Sequence, residues 1–464
     1  MITDSITTLP TKDESLQNPQ TRTSKTQVMQ GMSRILGVIA VLAIATSCLF
    51  FWHFHDFYNP DSPSYIVPAA NILAGHGFVN SAGYPETLRT PGYSLFILPF
   101  LWTRLDLKYL IIFQHLLRAL IVLGTTAFAF QVMRSRRTAL LTGILLCLDL
   151  PLLETANSIF TEIFFTATLA VVLLLLWVES AQMEKPGIRL FTAGLLAGAS
   201  VLIRPINVLF FLPAALYLLL VRRSFRLRAA LSFSLAFVIL PVTWAIRNYR
   251  ETGYFTVTTI AGMNMLLYKA AGSLAINDPG EFDANVERRQ TQLEAQACND
   301  IRNLYGADCS QITIPQKSAY YWRLGRTIIE AHPLAYVEVA VRGDAEVIFG
   351  GGLLRLREMT GASPRVGTIL ILLFTIPLFC FACIGLLVLW KTNRQLFTLI
   401  FLVILYFLVI SGGAQAYSRF RVPIIPLYAF AAAVGLDFSL KRFPAKIGKS
   451  RQLMQSPRAP YAEG

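Results

Sequence analysis

The sequence predicts an all-α polytopic membrane protein, a bundle of about ten transmembrane helices with a small extracytoplasmic region. Three observations predict it. Hydrophobic residues make up 54% of the 464-residue chain. Apolar runs of about 18 or more residues, long enough to cross a bilayer, recur along it. Lys and Arg gather in alternate turns between those runs, as the positive-inside rule requires.

The first 33 residues are polar and are predicted to be a disordered cytoplasmic N-terminus. The run Ile35–Phe54 has no small-residue cleavage motif and reads as a signal anchor. Further apolar segments fall near 107–133, 138–153, 157–180, 190–203, 205–221, 229–246, 366–390, 395–411 and 422–440. Residues 34–246 are thus expected to hold transmembrane helices 1–7 and a first outer loop, 55–106. Residues 247–365 form an extracytoplasmic region, 366–440 hold helices 8–10, and 441–464 are a cytoplasmic tail. The apolar stretch 91–103 falls short of the roughly 20 residues needed to cross and reads as re-entrant or interfacial.

Orientation follows from charge. With the N-terminus inside, the inner turns and tail carry seventeen Lys and Arg, and the short outer loops six. If 91–103 crossed, that bias would reverse. The expected location is the plasma (inner) membrane, with both termini cytoplasmic. The net charge of +14 is then the cationic flanking of a membrane protein, and nucleic acid is not an expected partner.

Cys48, Cys147, Cys380 and Cys383 sit in apolar spans and read as small buried hydrophobes. Cys298 and Cys309 share the outer region and are placed to bond if it faces an oxidising compartment. Helical spacing predicts amphipathic helices over 316–331 and 333–349, lying along the membrane, with Pro333 starting the second. Gly194 and Gly198 form a small-xxx-small pair suited to close helix packing.

The outer face carries charges that simple topology does not explain. Arg89, Arg204, Arg247, Arg419 and Arg421 come from separate parts of the chain to one membrane surface. Desolvating arginine there is costly without an anionic partner, and its planar fork matches phosphate oxygens. Lipid headgroups or internal acids are the bland partners; a shared phosphate site is the sharper reading. Asp61, after Pro60 and before Ser-Pro-Ser-Tyr, is the leading general base, with Asp56 its competitor. Its bland role is to cap the helix that follows. Glu162 lies a turn or two inside a span, where an acid is a functional candidate or the partner of Arg118. Tyr65, His76 and Tyr93 complete the polar, aromatic loop His55–Tyr93 as candidate donor or acceptor contacts. No histidine or acid spacing points to a metal site, though His55, Asp56 and Asp61 could hold a divalent ion loosely.

Several motifs carry a resemblance. They are Asp61-Ser-Pro-Ser-Tyr65, Ala70-Asn-Ile-Leu-Ala-Gly-His-Gly-Phe78 and Arg89-Thr-Pro-Gly-Tyr93. Thr161-Glu162, Gly194…Gly198…Arg204-Pro205, Arg247-Asn248-Tyr249 and Arg419-Phe-Arg-Val-Pro423…Pro426 follow in order. Together they resemble the GT-C membrane glycosyltransferases that use polyprenyl-phosphate sugars, related to protein O-mannosyltransferases and the lipid A aminoarabinose transferase. The similarity runs over roughly 35–440. It departs from the family in having Ser62 where a second acid is common, and in its smaller outer domain. The resemblance implies a GT-C-type bundle and a polyprenyl-phosphate-linked sugar donor used on the extracytoplasmic face. It implies Asp61 as the carboxylate that activates an acceptor for inverting attack, and the arginines as ligands of the departing phosphate. Membrane lipids are the remaining expected partners. No cofactor is required by the motifs, and the acceptor, whether lipid, glycan or protein, is not specified.

Two other functions compete. A transporter or flippase of lipid-linked sugars should show repeated halves and broken helices near the midplane, and no repeat is present. A non-catalytic assembly protein would leave the arginine set unused. Convergence of Asp61, Arg204, Arg247 and Arg421 on one outer cavity is the discriminating geometry.

Overall fold

The structure, a computed structural model, describes residues 19–182 and 186–454. Among these residues every regular element is helical; the only β pairing is an isolated bridge, Val79 to Pro85. The first element, α1 (Pro19–His53), begins well before the apolar run. The disordered N-terminus expected up to residue 33 is therefore helical from Pro19, and its first 18 residues lie outside those described.

The loop after α1 holds two short helices, α2 (Pro63–Leu73) and α3 (Pro91–Trp102). Then α4 (Lys108–Met133) crosses back, and α5 (Arg136–Leu148) and α6 (Leu150–Ala156) meet at a 56° bend. The bend falls at Asp149, whose side chain accepts from the Leu152 amide and starts α6. Next come α7 (Glu162–Ser180), α8 (Ile188–Ile203), a 3-10 turn at Pro205–Asn207, α9 (Phe211–Val221) and α10 (Arg226–Thr252). The stretch expected to be extracytoplasmic comprises α11 (Ile260–Met263), a π-helical segment Asn264–Ala270, α12 (Ala271–Ala275), α13 (Phe282–Tyr305), α14 (Ile314–Ala331), α15 (Pro333–Phe349) and α16 (Leu353–Thr360). The chain closes with α17 (Pro364–Thr392), α18 (Arg394–Ser411), a 3-10 segment Ser418–Ile424 and α19 (Ile425–Met454).

Seven helices among the described residues are long and apolar enough to cross a membrane, or eight if the bent α5–α6 pair is one span. Ile188–Ile203 and Pro205–Val221 are apolar but shorter, so the expected count of about ten rests on treating both as crossings. At 12 residues, α3 is also short. Its Tyr93 and Ile97 are fully buried against the bundle.

Packing gives the helices two distinct ends. At one, Ser135 and Thr138 donate to Asp437 Oδ2 at 2.8 and 2.9 Å, joining the start of α5 to the middle of α19. Arg222 donates to the Glu179 carbonyl at 2.7 Å at the same end, joining α9 to α7. The other end bears the loop 55–106 and the outer region. Gly194 and Gly198 lie against the backbone carbonyls of Phe233 and Phe237, so any Cβ there would push α8 off α10. Of the cysteines in spans, Cys147 is buried, but Cys48, Cys380 and Cys383 face outward from the bundle. Their expected burial fails because each falls on the stripe of its helix that no neighbour covers. Cys298 and Cys309 are disulfide-bonded, with Cα atoms 5.1 Å apart.

Candidate active site

The site begins in the turn before α2. The Asn59 amide donates to Ser62 Oγ at 3.0 Å, and its side chain donates to the Ile159 carbonyl at 3.0 Å. The Ile159 amide donates back to Phe57 O at 3.0 Å. The turn is thereby fastened to the loop between α6 and α7. Asp61 does not cap α2, which has no side-chain cap bond. Its carboxylate turns away from the helix amides: Arg89 Nη2 donates to Oδ1 at 2.7 Å and Arg419 Nη1 to Oδ2 at 3.3 Å.

Arg89 is held on three sides. Its Nε donates to Ser64 Oγ at 2.9 Å, and its guanidinium lies 4.8 Å over the Tyr65 ring. The Leu88 and Arg89 amides both donate to Glu86 Oε1, at 2.6 and 3.0 Å. One residue inside α3, Gly92 meets the end of α8 so closely that a Cβ would sit 2.6 Å from Leu202 O. That contact brings the Arg89 loop beside Arg204.

Arg204 and Glu162 form a second, more buried pair, Nη1 to Oε1 at 2.5 Å, with side chains 12% and 2% exposed. Arg204 also donates to Thr161 Oγ1 at 3.3 Å. Glu162 is the first residue of α7 rather than one or two turns inside it, so the helix dipole favours its negative charge. Pro205 disfavours helical backbone at the preceding residue, and Arg204 is extended at φ −144° and ψ 110°. The guanidiniums of Arg204 and Arg419 lie 5.4 and 5.5 Å from the Phe420 ring, and Arg419 also lies 4.8 Å from Phe160. Aromatic faces favour cations held this way. Arg118, the other candidate partner of Glu162, instead donates to Ser47 Oγ and to the Ala43 and Cys147 carbonyls.

Asp61, Tyr65, Arg89, Glu162, Arg204 and Arg419 line one cavity of about 550 Å³. That volume lies within the usual range for small-molecule sites. Burial pushes the Tyr65 hydroxyl up from its ordinary pKa, with Arg89 partly offsetting this.

The other expected site residues lie elsewhere. Arg247 donates to the Phe78 and Glu86 carbonyls at 2.9 and 3.0 Å and stacks 5.0 Å from Trp244; it staples the outer loop to α10. Arg421 is buried, donating to the Ile348 carbonyl at 2.6 Å and pairing with Asp149 at 3.1 Å. It ties the last span to α15 and to the α5–α6 bend. Tyr93 is buried and donates to Gln114 Oε1 at 2.6 Å. His76 is exposed on the loop after α2. None of these four lines the cavity. Of the four residues whose convergence was to discriminate, Asp61 and Arg204 share a cavity, and Arg247 and Arg421 do not.

Some cavity residues carry no signal in the sequence pattern. Tyr268 and Lys269 lie on the π-helical segment, Ser411 ends α18, and Gln415 and Tyr417 lie between α18 and the 3-10 segment. π-helical turns are frequent at functional sites, but spacing and composition do not reveal them. Burial raises the Tyr268 hydroxyl above its ordinary pKa, and Tyr417 and Asp61 add to the effect.

A divalent ion does not fit the donor set. Each Asp61 oxygen already faces a guanidinium, and His55 and Asp56 are exposed on the loop before it. Among the described residues no group of three His, Cys, Asp or Glu is arranged to hold a metal.

No protein-family model and no curated protein matches the chain. Among solved structures it is similar to the archaeal oligosaccharyltransferase AglB from Archaeoglobus fulgidus, in complex with an inhibitory peptide and a dolichol-phosphate. The identity is 11%, over 93% of this chain and 52% of that one, with a TM-score of 0.46. The chain thus spans about half the length of AglB. It is also similar to ArnT from Cupriavidus metallidurans in the apo state, at 11% identity over 85% of this chain and 76% of that one, with a TM-score of 0.34.

Proposed function

We propose that the protein is an inverting membrane glycosyltransferase that moves a sugar from a polyprenyl-phosphate donor to an acceptor on the extracytoplasmic face of the plasma membrane. The observation that carries this reading is the charge balance of the cavity. Four basic side chains, Arg89, Arg204, Lys269 and Arg419, face two carboxylates, Asp61 and Glu162. The donor phosphodiester has one negative charge, and the departing polyprenyl phosphate gains a second. An excess of two positive charges suits the leaving group better than the donor, and such differential stabilisation accelerates the reaction. Ile203, Ile206, Val208, Val257 and Ile410 supply an apolar wall, and Val208 is 39% exposed at the bundle surface, where a polyprenyl chain could enter.

In this reading the acceptor X–H attacks the anomeric carbon from the face opposite the phosphate. Asp61 takes the proton, the C1–O bond breaks, and its electron pair stays on the phosphate oxygen. Asp61 can act as a base once the donor phosphate competes for Arg419 and uncovers Oδ2. Arg204 remains anchored by Glu162 and presents its outer edge to the phosphate. Glu162 is thus a positioning residue.

The test is transfer of labelled sugar from a polyprenyl-phosphate donor by purified protein in lipid nanodiscs. Asp61→Asn is expected to lose transfer while retaining the folded spectrum; wild-type turnover in that variant would overturn the reading.

A further inference from the structure

A second cavity, of about 550 Å³, lies at the opposite end of the bundle, between α1 and the start of α5. Arg34, Arg136 and Arg137 line it, with Gly31, Ile35 and Leu140 among the rest. None of its lining residues is acidic, and neither α1 nor α5 contains an Asp or Glu. Asp437, at the same end, is taken up by Ser135, Thr138 and Lys441, and Glu179 lies against Arg222. Gly31 makes room for one of the three cations: a Cβ there would sit 2.5 Å from Arg136 Nη2. Cationic turns are ordinary at a membrane flank, but a walled pocket that gathers three guanidiniums and no carboxylate is not. Positive charge concentrated in this way suits an anion, and the planar fork of arginine matches phosphate oxygens.

The surroundings narrow the source of that phosphate. The apolar part of α1 begins at Gln30, so the pocket sits where the helix passes from polar to apolar sequence. From Arg34, helical spacing carries the same face of α1 on through Val38, Leu42 and Leu49. From Arg137, it carries a face of α5 through Leu140, Ile144 and Leu148. The two helices meet where Gly143 lies against Ile39, so both rows run beside their seam. Val38, Leu49 and Leu148 are exposed. A soluble phosphate would use the guanidiniums alone. A phospholipid would use the guanidiniums and the apolar rows together.

We infer that this pocket binds the head group of an anionic phospholipid, with its acyl chains along the seam between α1 and α5. The inference is independent of the glycosyltransferase reading. It includes a head-group preference. A choline head group brings its own cation next to the phosphate, and three arginines with no carboxylate among them repel it. A glycerol head group brings none.

The experiment titrates phosphatidylglycerol into full-length protein in phosphatidylcholine nanodiscs and reads the retained lipid by native mass spectrometry. The wild type is expected to retain phosphatidylglycerol over phosphatidylcholine by about tenfold or more. The double variant Arg34→Gln/Arg137→Gln should lose that preference while keeping its Tm in pure phosphatidylcholine. Gly31→Leu keeps every charge but fills the cavity, and should lose the preference too. The atoms it meets belong to the flexible end of Arg136, so the fold should survive. Arg189→Gln makes the same change of charge on an exposed residue at the start of α8, at the same end but outside the pocket, and should keep the preference. Equal retention of both lipids by the wild type, an undiminished preference in Gly31→Leu, or an equal loss in Arg189→Gln would overturn the site. Displacement of phosphatidylglycerol by glycerol phosphate at matching concentration would overturn the lipid as its occupant.

Discussion

The guanidinium of Arg419 lies 3.3 Å from Asp61 Oδ2, joining a residue of the first outer loop to one that precedes the last helix. The pair sets the central expectation for activity. Asp61→Asn should reduce kcat by about 10²–10⁴-fold, the usual worth of a positioned base. Arg419→Ala should cost about 10²–10³-fold, the usual worth of one charge-stabilising donor. The double variant should lose less than the product of the two, since both act through one carboxylate. Steady-state transfer kinetics on all four proteins would show full additivity if the contact were idle.

The Glu162–Arg204 pair should behave differently from the Asp61 cluster. Its members are 2% and 12% exposed, so removing either partner alone strands a buried charge. Glu162→Gln or Arg204→Met should each destabilise the fold by about 3–5 kcal/mol, and the double variant by less than either. Thermal unfolding in detergent reads this directly. Activity should be lost in every variant lacking Arg204, including the double variant whose stability is restored.

Arg421→Ala is expected to act on the fold and not on the chemistry. It would leave Asp149 buried and unpaired at 4% side-chain exposure, at a cost of about 3–5 kcal/mol. The surviving folded fraction should turn over donor at the wild-type rate per active site. A large fall in kcat at unchanged Tm would place Arg421 in the reaction instead.

Cys298 and Cys309 close a loop of sequence separation 11. Replacing both with serine should destabilise the outer region by about 2–3 kcal/mol, and reductant should mimic the change in the wild type only. Hydrogen exchange should localise the loss to α13 and the turn after it.

Asp344 on α15 is pushed up by burial from its ordinary 3.8 to about 6, and its Oδ1 has no hydrogen-bond partner. A carboxyl with a raised folded pKa binds more protons folded than unfolded between these values. Stability therefore falls as pH rises from about 4 to about 6 and is level above that. Asp344→Asn should stabilise at pH 7.5, by on the order of 1 kcal/mol after allowing for partial solvation. The gain should vanish near pH 4; an equal gain at both pH values would exclude titration as its cause.

The long apolar helices were legible because such runs leave few alternatives in a bilayer, and α3, at 12 residues, was legible as shorter than the roughly 20 a crossing needs. Position along the helices was legible too: Arg89, Arg204, Arg247, Arg419 and Arg421 lie at the end of the bundle that bears the loop 55–106. Direction around the helix axis was not. Arg419 and Arg421 are two residues apart on a 3-10 segment with three residues per turn, so they face about 120° apart. One reaches the cavity and the other the Asp149 bend. Arg247 lies outside the cavity for a related reason, since a cation can spend its donors on backbone carbonyls, here those of Phe78 and Glu86, as readily as on a ligand. Lys269 escaped notice because a single lysine among apolar and aromatic residues has no periodic signature, and the π-helical turn that aims it does not show in spacing.

The contact between Asp61 and Arg419 spans 358 residues of sequence, and that separation has a biosynthetic meaning. At ordinary translation rates roughly 20–70 s pass between emergence of the carboxylate and arrival of its last guanidinium. During that interval the first loop has left the ribosome, but the cavity lacks a wall and a charge. A stalled or truncated chain would therefore sit in the membrane as an incomplete bundle without a working centre. On the proposed reading, activity would begin only when the final helix is inserted, so the order of synthesis would itself guard against premature use of a lipid-linked donor.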